Sequence, residues 1–229
     1  MDTVILLVIV IAVALVVHEI RSRWMQRAAR AVGLSFGAGP HVDQRGPWRA
    51  LAARVHDREP TTWGHTLRGS FDGATLALQE QELKPSISSN REWHTLVIWE
   101  LPGAGLPIFR LDRSSDGRPW LREMVAPFVD PAVRALGGDP DPAPPSVPVP
   151  IAQDTDFSRR FAVVGPDADA LIRHFDAGRR RAILTLDPRG PVASDSQRLI
   201  WLRPGRAGPT ALPALLAETR ALRRAFAAR

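Results

Sequence analysis

Fourteen consecutive apolar residues, Val4 to Val17, stand near the start of the chain: six Val, three Ile, three Leu and two Ala. Fourteen is short of the ~20 residues that cross a bilayer core. Thr3 extends the run, however, and Asp2, His18 and Glu19 fall at its ends, where headgroups and water are within reach. Twelve Val, Ile and Leu at ~0.3–0.6 kcal/mol each favour insertion by roughly 5 kcal/mol. The polar ends oppose this only weakly, because their penalty falls away from the midplane. A cleavable signal would carry a positive start and a small-residue cleavage site followed by a loop, whereas this start carries Asp2 and passes directly into a helical pattern.

The pattern after the run is helical and basic. Arg23, Arg27 and Arg30 recur at i, i+4, i+7 and make one stripe, with Arg21 just before them and no acid among residues 21–30. Ile20, Trp24, Ala28 and Ala31 make the adjoining apolar face, and Trp24 falls at the depth of aromatic belts. Gly33 reads as the helix stop. The reading is a transmembrane helix over residues 1–20 and a juxtamembrane basic helix over 21–33. Arg21, Arg23, Trp24, Arg27 and Arg30 are the expected membrane-proximal lipid contacts. With all four flanking arginines after the span, the positive-inside rule puts the N-terminus outside and the remainder in the cytoplasm.

Residues 34–136 alternate as strands do. In "TLRGSFDGATLALQ" the Asp72-Gly73 pair suits a two-residue hairpin turn. Its register sets Phe71, Gly69 and Leu67 across from Ala74, Leu76 and Leu78, giving one apolar and one polar face, as for a sheet covered on one side. Trp93 to Leu101 and Leu106 to Leu111 read as further strands, and Trp120 to Leu136 as a helix interrupted by Pro127 and Pro131. Residues 137–150 hold six prolines and read as an extended connector.

Residues 151–229 form the α+β second part of the same domain. Phe157 to Gly165 is expected as a strand, with Pro166, Asp167 and Asp169 opening a helix that Gly178 breaks. Arg198 to Arg203 is expected as the last strand. The final helix is expected to be capped by Thr210 and to carry its apolar stripe on Leu212, Leu215, Leu216, Leu222 and Phe226. The fold class is α+β: an N-terminal transmembrane helix and a mainly antiparallel sheet with C-terminal helices packed on it.

Charge adds one element to this picture. The basic residues are 29 Arg and one Lys, giving net +6, a balance that favours anionic surfaces. Nucleic acid would call for arginines beside stacking aromatics in a recognisable module, which the scattered Trp do not supply, so the lipid bilayer is the expected partner. Another membrane protein is a second candidate partner. Cysteine is absent, which excludes disulfides and thiolate chemistry.

The candidate chemistry is thin. "GLSFG" fits G-x-S-x-G at Ser35, but a helix enters it and no helix leaves, the reverse of a nucleophile elbow. Asp154 and Asp156 form a D-x-D that reads as an acidic turn. The histidines at 18, 41, 56, 65, 94 and 174 lack ligand spacing. His65 and Glu80 lie across from each other on the hairpin and read as a structural pair. No catalytic, metal or cofactor site is read from the chain.

The segments "RAARAVGLSF", "LPIFRLDR" and "DFSRRFAVVGPDADALIRHF" resemble a group of small bacterial single-pass membrane-anchored proteins whose function is not known. The resemblance implies an anchor and an α+β cytoplasmic domain, with no activity and no site residues. The expectation is an inner-membrane protein whose cytoplasmic domain is an adaptor or binding module. A membrane-tethered hydrolase and an anionic-lipid-sensing domain are the alternatives.

Overall fold

The computed structural model describes residues 2–37, 39, 49, 52, 55, 60–83, 92–114, 147–151 and 154–227. The expected helix over 120–136 lies outside them, as does most of the proline-rich connector. The chain is α+β and forms two compact units.

The first unit comprises residues 1–100 and 202–221. Helix α1 (Asp2–Ala31) is continuous. It ends where Gly33 takes φ +76 and Leu34 N–H returns to Ala29 O. Strands β1 (Ser35–Gly37), β2 (Pro60–Phe71), β3 (Ala74–Leu83) and β4 (Glu92–Glu100) follow in sheet order 1-2-3-4, each antiparallel to the next. The β2–β3 hairpin turns on Asp72 and Gly73, both with positive φ (51° and 77°). Its register pairs Phe71 with Ala74, Gly69 with Leu76 and Leu67 with Leu78, as the alternation requires. A register shift between Trp63 and Thr66 interrupts the ladder.

The sheet is not covered on one face only. Every β3 residue from Leu76 to Leu83 is buried, Gln79 and Gln81 on the polar face included. Gln79 is accommodated there by donating to Gly64 O and Glu80 O and accepting from Thr66 Oγ1. The apolar face carries Leu67, Leu76, Leu78, Val97 and Trp99, all buried. Trp99 Nε1 donates to Thr219 O (3.2 Å), which pairs the ring's apolar body with a satisfied polar edge.

The second unit comprises residues 101–201 and 222–229. Its strands are β5 (Ile108–Arg113), β6 (Val147–Val149), β7 (Phe161–Gly165), β8 (Val192–Asp195) and the start of β9 (Arg198–Pro204). β5 lies between β7 and β8, β6 adds to β7 and β9 to β8, all antiparallel. Helices α2 (Thr155–Arg160), α3 (Ala168–His174) and α4 (Ala177–Leu186) belong to it. Phe109 sits at the centre of its core, with ring centroids 5.2 Å from Phe175 and 5.6 Å from Phe226. Helix α5 (Leu212–Ala227) supplies residues to both units, and its stripe Leu212, Leu215, Leu216, Leu222 and Phe226 is buried throughout.

Five local expectations are corrected in this unit and at its borders. Phe157–Gly165 is a strand only from Phe161; the stretch before it is helical because Asp154 caps it, accepting from Phe157 N–H. Pro166 stands before the Asp167 cap of α3 and not at its first helical position, and the break before α4 falls at Asp176, which caps that helix while Gly178 lies inside it. Residues 147–149 of the connector pair with β7 as an outer strand, a place where Pro148 can sit without a missing ladder donor. The last helix begins at Leu212, two residues beyond Thr210, with Ala211 O accepting from Leu215 N–H.

Two glycines distinguish crowding from conformation. A Cβ on Gly165 would fall 2.7 Å from Ile108 O and 2.6 Å from Leu171 Cδ1, whereas one on Gly33 would meet nothing within 4 Å. Gly165→Ala is therefore expected to cost about 1–3 kcal/mol through forced backbone movement. Gly33→Asn should cost less than about 1 kcal/mol, because Asn tolerates the left-handed region. Denaturant midpoints of the detergent-solubilised full chain would rank the two.

Candidate membrane-proximal site

Helix α1 changes surroundings along its length. From Val4 to Ile20 every residue is exposed, and the helix holds a stretch long and apolar enough to cross a membrane. An apolar surface of that extent is not stable in water; it fits a membrane anchor. From Arg21 onward one side of the helix is covered: Met25, Ala29 and the following Leu34 are buried, and Arg21, Ser22 and Gln26 are half-buried. The spacing 22, 25, 29 is that of a single helical face.

The polar contacts of this covered side converge on Glu80, which is 2% exposed. Arg21 Nη2 donates to Glu80 Oε1 at 2.5 Å and Arg21 Nη1 to Glu80 Oε2 at 3.2 Å, a two-pronged contact. Arg206 Nη2 reaches Oε2 from the other side at 3.4 Å. His65 fills the space between. Arg21 Nη1 lies 2.9 Å from His65 Nδ1, and Ser22 Oγ 2.9 Å from its Nε2. A guanidinium can only donate, so Nδ1 is the acceptor and Nε2–H faces Ser22. His65 then meets Glu80 through its backbone N–H, at 3.4 Å. His18 stacks on the imidazole with ring centroids 5.6 Å apart, and Phe36 lies tilted against it at 5.1 Å.

The position of Glu80 follows from β3 parity. Leu76, Leu78, Glu80 and Glu82 share one face, and the alternation that sets Leu67 opposite Leu78 puts His65 on that face beside Glu80. Burial alone would raise the Glu80 carboxyl. Hydrogen bonds from His65 and Arg21 and the charges of Arg21 and Arg206 outweigh it and hold the group at about 2. Glu80 is therefore a fixed anion, unsuited to donate or shuttle protons at neutral pH.

Of the five residues singled out in the sequence, the structure turns Arg21 inward onto Glu80, His65 and Ala207 O. Arg23, Trp24, Arg27 and Arg30 remain exposed on the uncovered side, with Arg23 in an i,i+4 pair to Glu19 (2.7 Å). The other candidates lie elsewhere. Ser35 Oγ donates to Arg68 O (2.6 Å) within the β1–β2 pairing. Asp154 is occupied by its cap and by Arg180 Nε (3.2 Å). Among the described residues no His, Cys, Asp or Glu group could hold a metal ion. Arg206 and Trp93 escaped the sequence reading, because the separation of 126 residues between Glu80 and Arg206 carries no local signal.

Removing one member of a buried ion pair costs roughly 3–5 kcal/mol, so Glu80→Gln should destabilise the first unit by that order, and Arg21→Met combined with it should cost less than the sum. The pH dependence has a definite sign. Glu80 titrates lower folded than unfolded, so its contribution, on the order of 3 kcal/mol, is full above about pH 4.5 and is lost as pH falls toward 2. Acid titrations of the parent and Glu80→Gln chains should converge over that window. Arg23→Ala, at an exposed pair, should leave the thermal midpoint unchanged.

No family model matches the chain, and no curated protein does. Among solved structures the chain is similar to the crystal structure of the mycobacterial trehalose monomycolate transport factor A, TtfA. The TM-score is 0.52 at 11% identity, over 89% of this chain and 93% of that one. At that identity the likeness is one of fold.

Proposed function

We propose that this chain is a single-pass bacterial inner-membrane protein whose cytoplasmic α+β portion acts as an adaptor in the transport of an envelope lipid. The observation that carries the reading is α1 itself: one unbroken helix, apolar from Val4 to Val17 and bare through Ile20, then held on one side by the first unit. An anchor that runs into its domain without a loop suits a protein that positions a partner at the membrane. The name of the structural neighbour, a trehalose monomycolate transport factor, supports the choice of process. The partner class is another membrane protein. Arg23, Arg27 and Arg30, on the uncovered side of the helix, favour an orientation in which this side faces the cytoplasmic leaflet.

Two measurements test this. Depleting the protein should lower the amount of one envelope lipid at the cell surface while its synthesis, followed by isotope incorporation, continues; unchanged export would sink the reading. Orientation is read separately. The chain has no cysteine, so Ala214→Cys, exposed on α5, introduces a unique thiol. It should resist an impermeant maleimide in intact cells and react after permeabilisation, and ready labelling of intact cells would reverse the topology.

A further inference from the structure

We infer that Arg206, stacked on Trp93 beside the Arg21–Glu80 pair, forms a binding site for the phosphate of an anionic lipid headgroup in the leaflet from which α1 emerges. The inference rests on the reading of residues 1–20 as a membrane span, and adds to it a site on the β9–α5 loop.

Depth is the first argument. Twenty helical residues at 1.5 Å each cover about 30 Å, the thickness of the hydrocarbon core. Arg21 therefore stands at the level of the headgroups. Because Arg21 contacts Glu80, His65 and Ala207 directly, those groups and the adjacent Arg206 lie at or near the same level. His18, a turn closer to the span, touches His65 as well.

Charge is the second. Two guanidinium groups, those of Arg21 and Arg206, share the Glu80 carboxylate. Arg21 uses both terminal nitrogens within the cluster. Arg206 gives Glu80 only a 3.4 Å contact through Nη2, and among the described residues its Nε and Nη1 meet no acceptor. Its side chain is 36% exposed. Arg206 thus presents outward a guanidinium whose flat fork suits two phosphate oxygens.

Preorganisation is the third. Gly205 N–H donates to Trp93 O (2.8 Å), and Thr95 Oγ1 donates to Gly205 O (2.8 Å), so β4 pins the loop on both sides of that peptide. The Arg206 Cζ stands 3.8 Å from the centre of the Trp93 ring. A guanidinium held over an indole has already lost part of the freedom that binding would otherwise take from it.

The test uses the full chain in nanodiscs of pure phosphatidylcholine and of phosphatidylcholine mixed with phosphatidylglycerol, read by amide hydrogen exchange over residues 203–208. Phosphatidylglycerol should slow exchange there about fivefold, the worth of one arginine at an anionic leaflet, and high salt should abolish the effect. Arg206→Gln should lose the protection, while Arg206→Lys should keep part of it. An unchanged thermal midpoint in detergent shows that each variant is folded. Inorganic phosphate added to phosphatidylcholine discs should not protect the loop, and protection by it alone would overturn the assignment to lipid. Equal exchange in the two disc types would overturn the site while leaving the anchor standing. Failure of the chain to co-elute with discs would overturn both.

Discussion

A carboxylate enclosed by protein is stable as an anion only if cations and donors replace the water it has lost. Glu80 meets that condition through a residue of the first helix, and this ties the anchor to the sheet. Arg21 cannot leave without stranding the anion, and Glu80 cannot be neutralised without stranding Arg21. The pair also sets rotation. A helix turned by one residue moves each side chain by about 100°, which would carry Arg21 off the carboxylate and Ser22 off the imidazole. The ion pair thereby selects one register of α1 against the strands, a task that Met25 and Ala29, being apolar and unbranched at the contact, perform less sharply.

The same helix serves two solvents and one protein surface in succession. From Val4 to Ile20 its residues are exposed; from Arg21 onward it has a covered side built on Ser22, Met25 and Ala29 and an open side carrying Arg23, Trp24, Arg27 and Arg30. The absence of a flexible joint between these regions is the functional content of the geometry. A tether of glycine and serine would leave the first unit free to wander, whereas a helix bonded to it at the exit point transmits tilt directly.

Much of this was written locally in the chain. The apolar run, the arginine spacing and the Asp72-Gly73 turn obey short-range rules, and the hairpin register follows from parity alone. The apolar stripe of α5 was legible for the same reason. What the sequence concealed is non-local. The His65–Glu80 pair follows from hairpin parity, but the arrival of Arg21 on that carboxylate, from 59 residues away, does not. Arg206 reads as loop charge until Trp93 is brought beneath it. The helix at Thr155–Arg160 was missed because its cap, Asp154, looks from sequence like half of an acidic pair, and Phe157 and Phe161 alternate plausibly as strand residues.

The outer strands bear on how a partner could be held. Both β1 and β6 are three residues long, and β6 places Pro148, which has no N–H, in its middle. Among the described residues, neither offers the row of free backbone donors and acceptors that a foreign strand needs to dock and extend a ladder. Recruitment by β-augmentation is thereby disfavoured at these rims, and recognition falls to side chains on helices and loops, where a few substitutions can change one partner for another without disturbing the sheets.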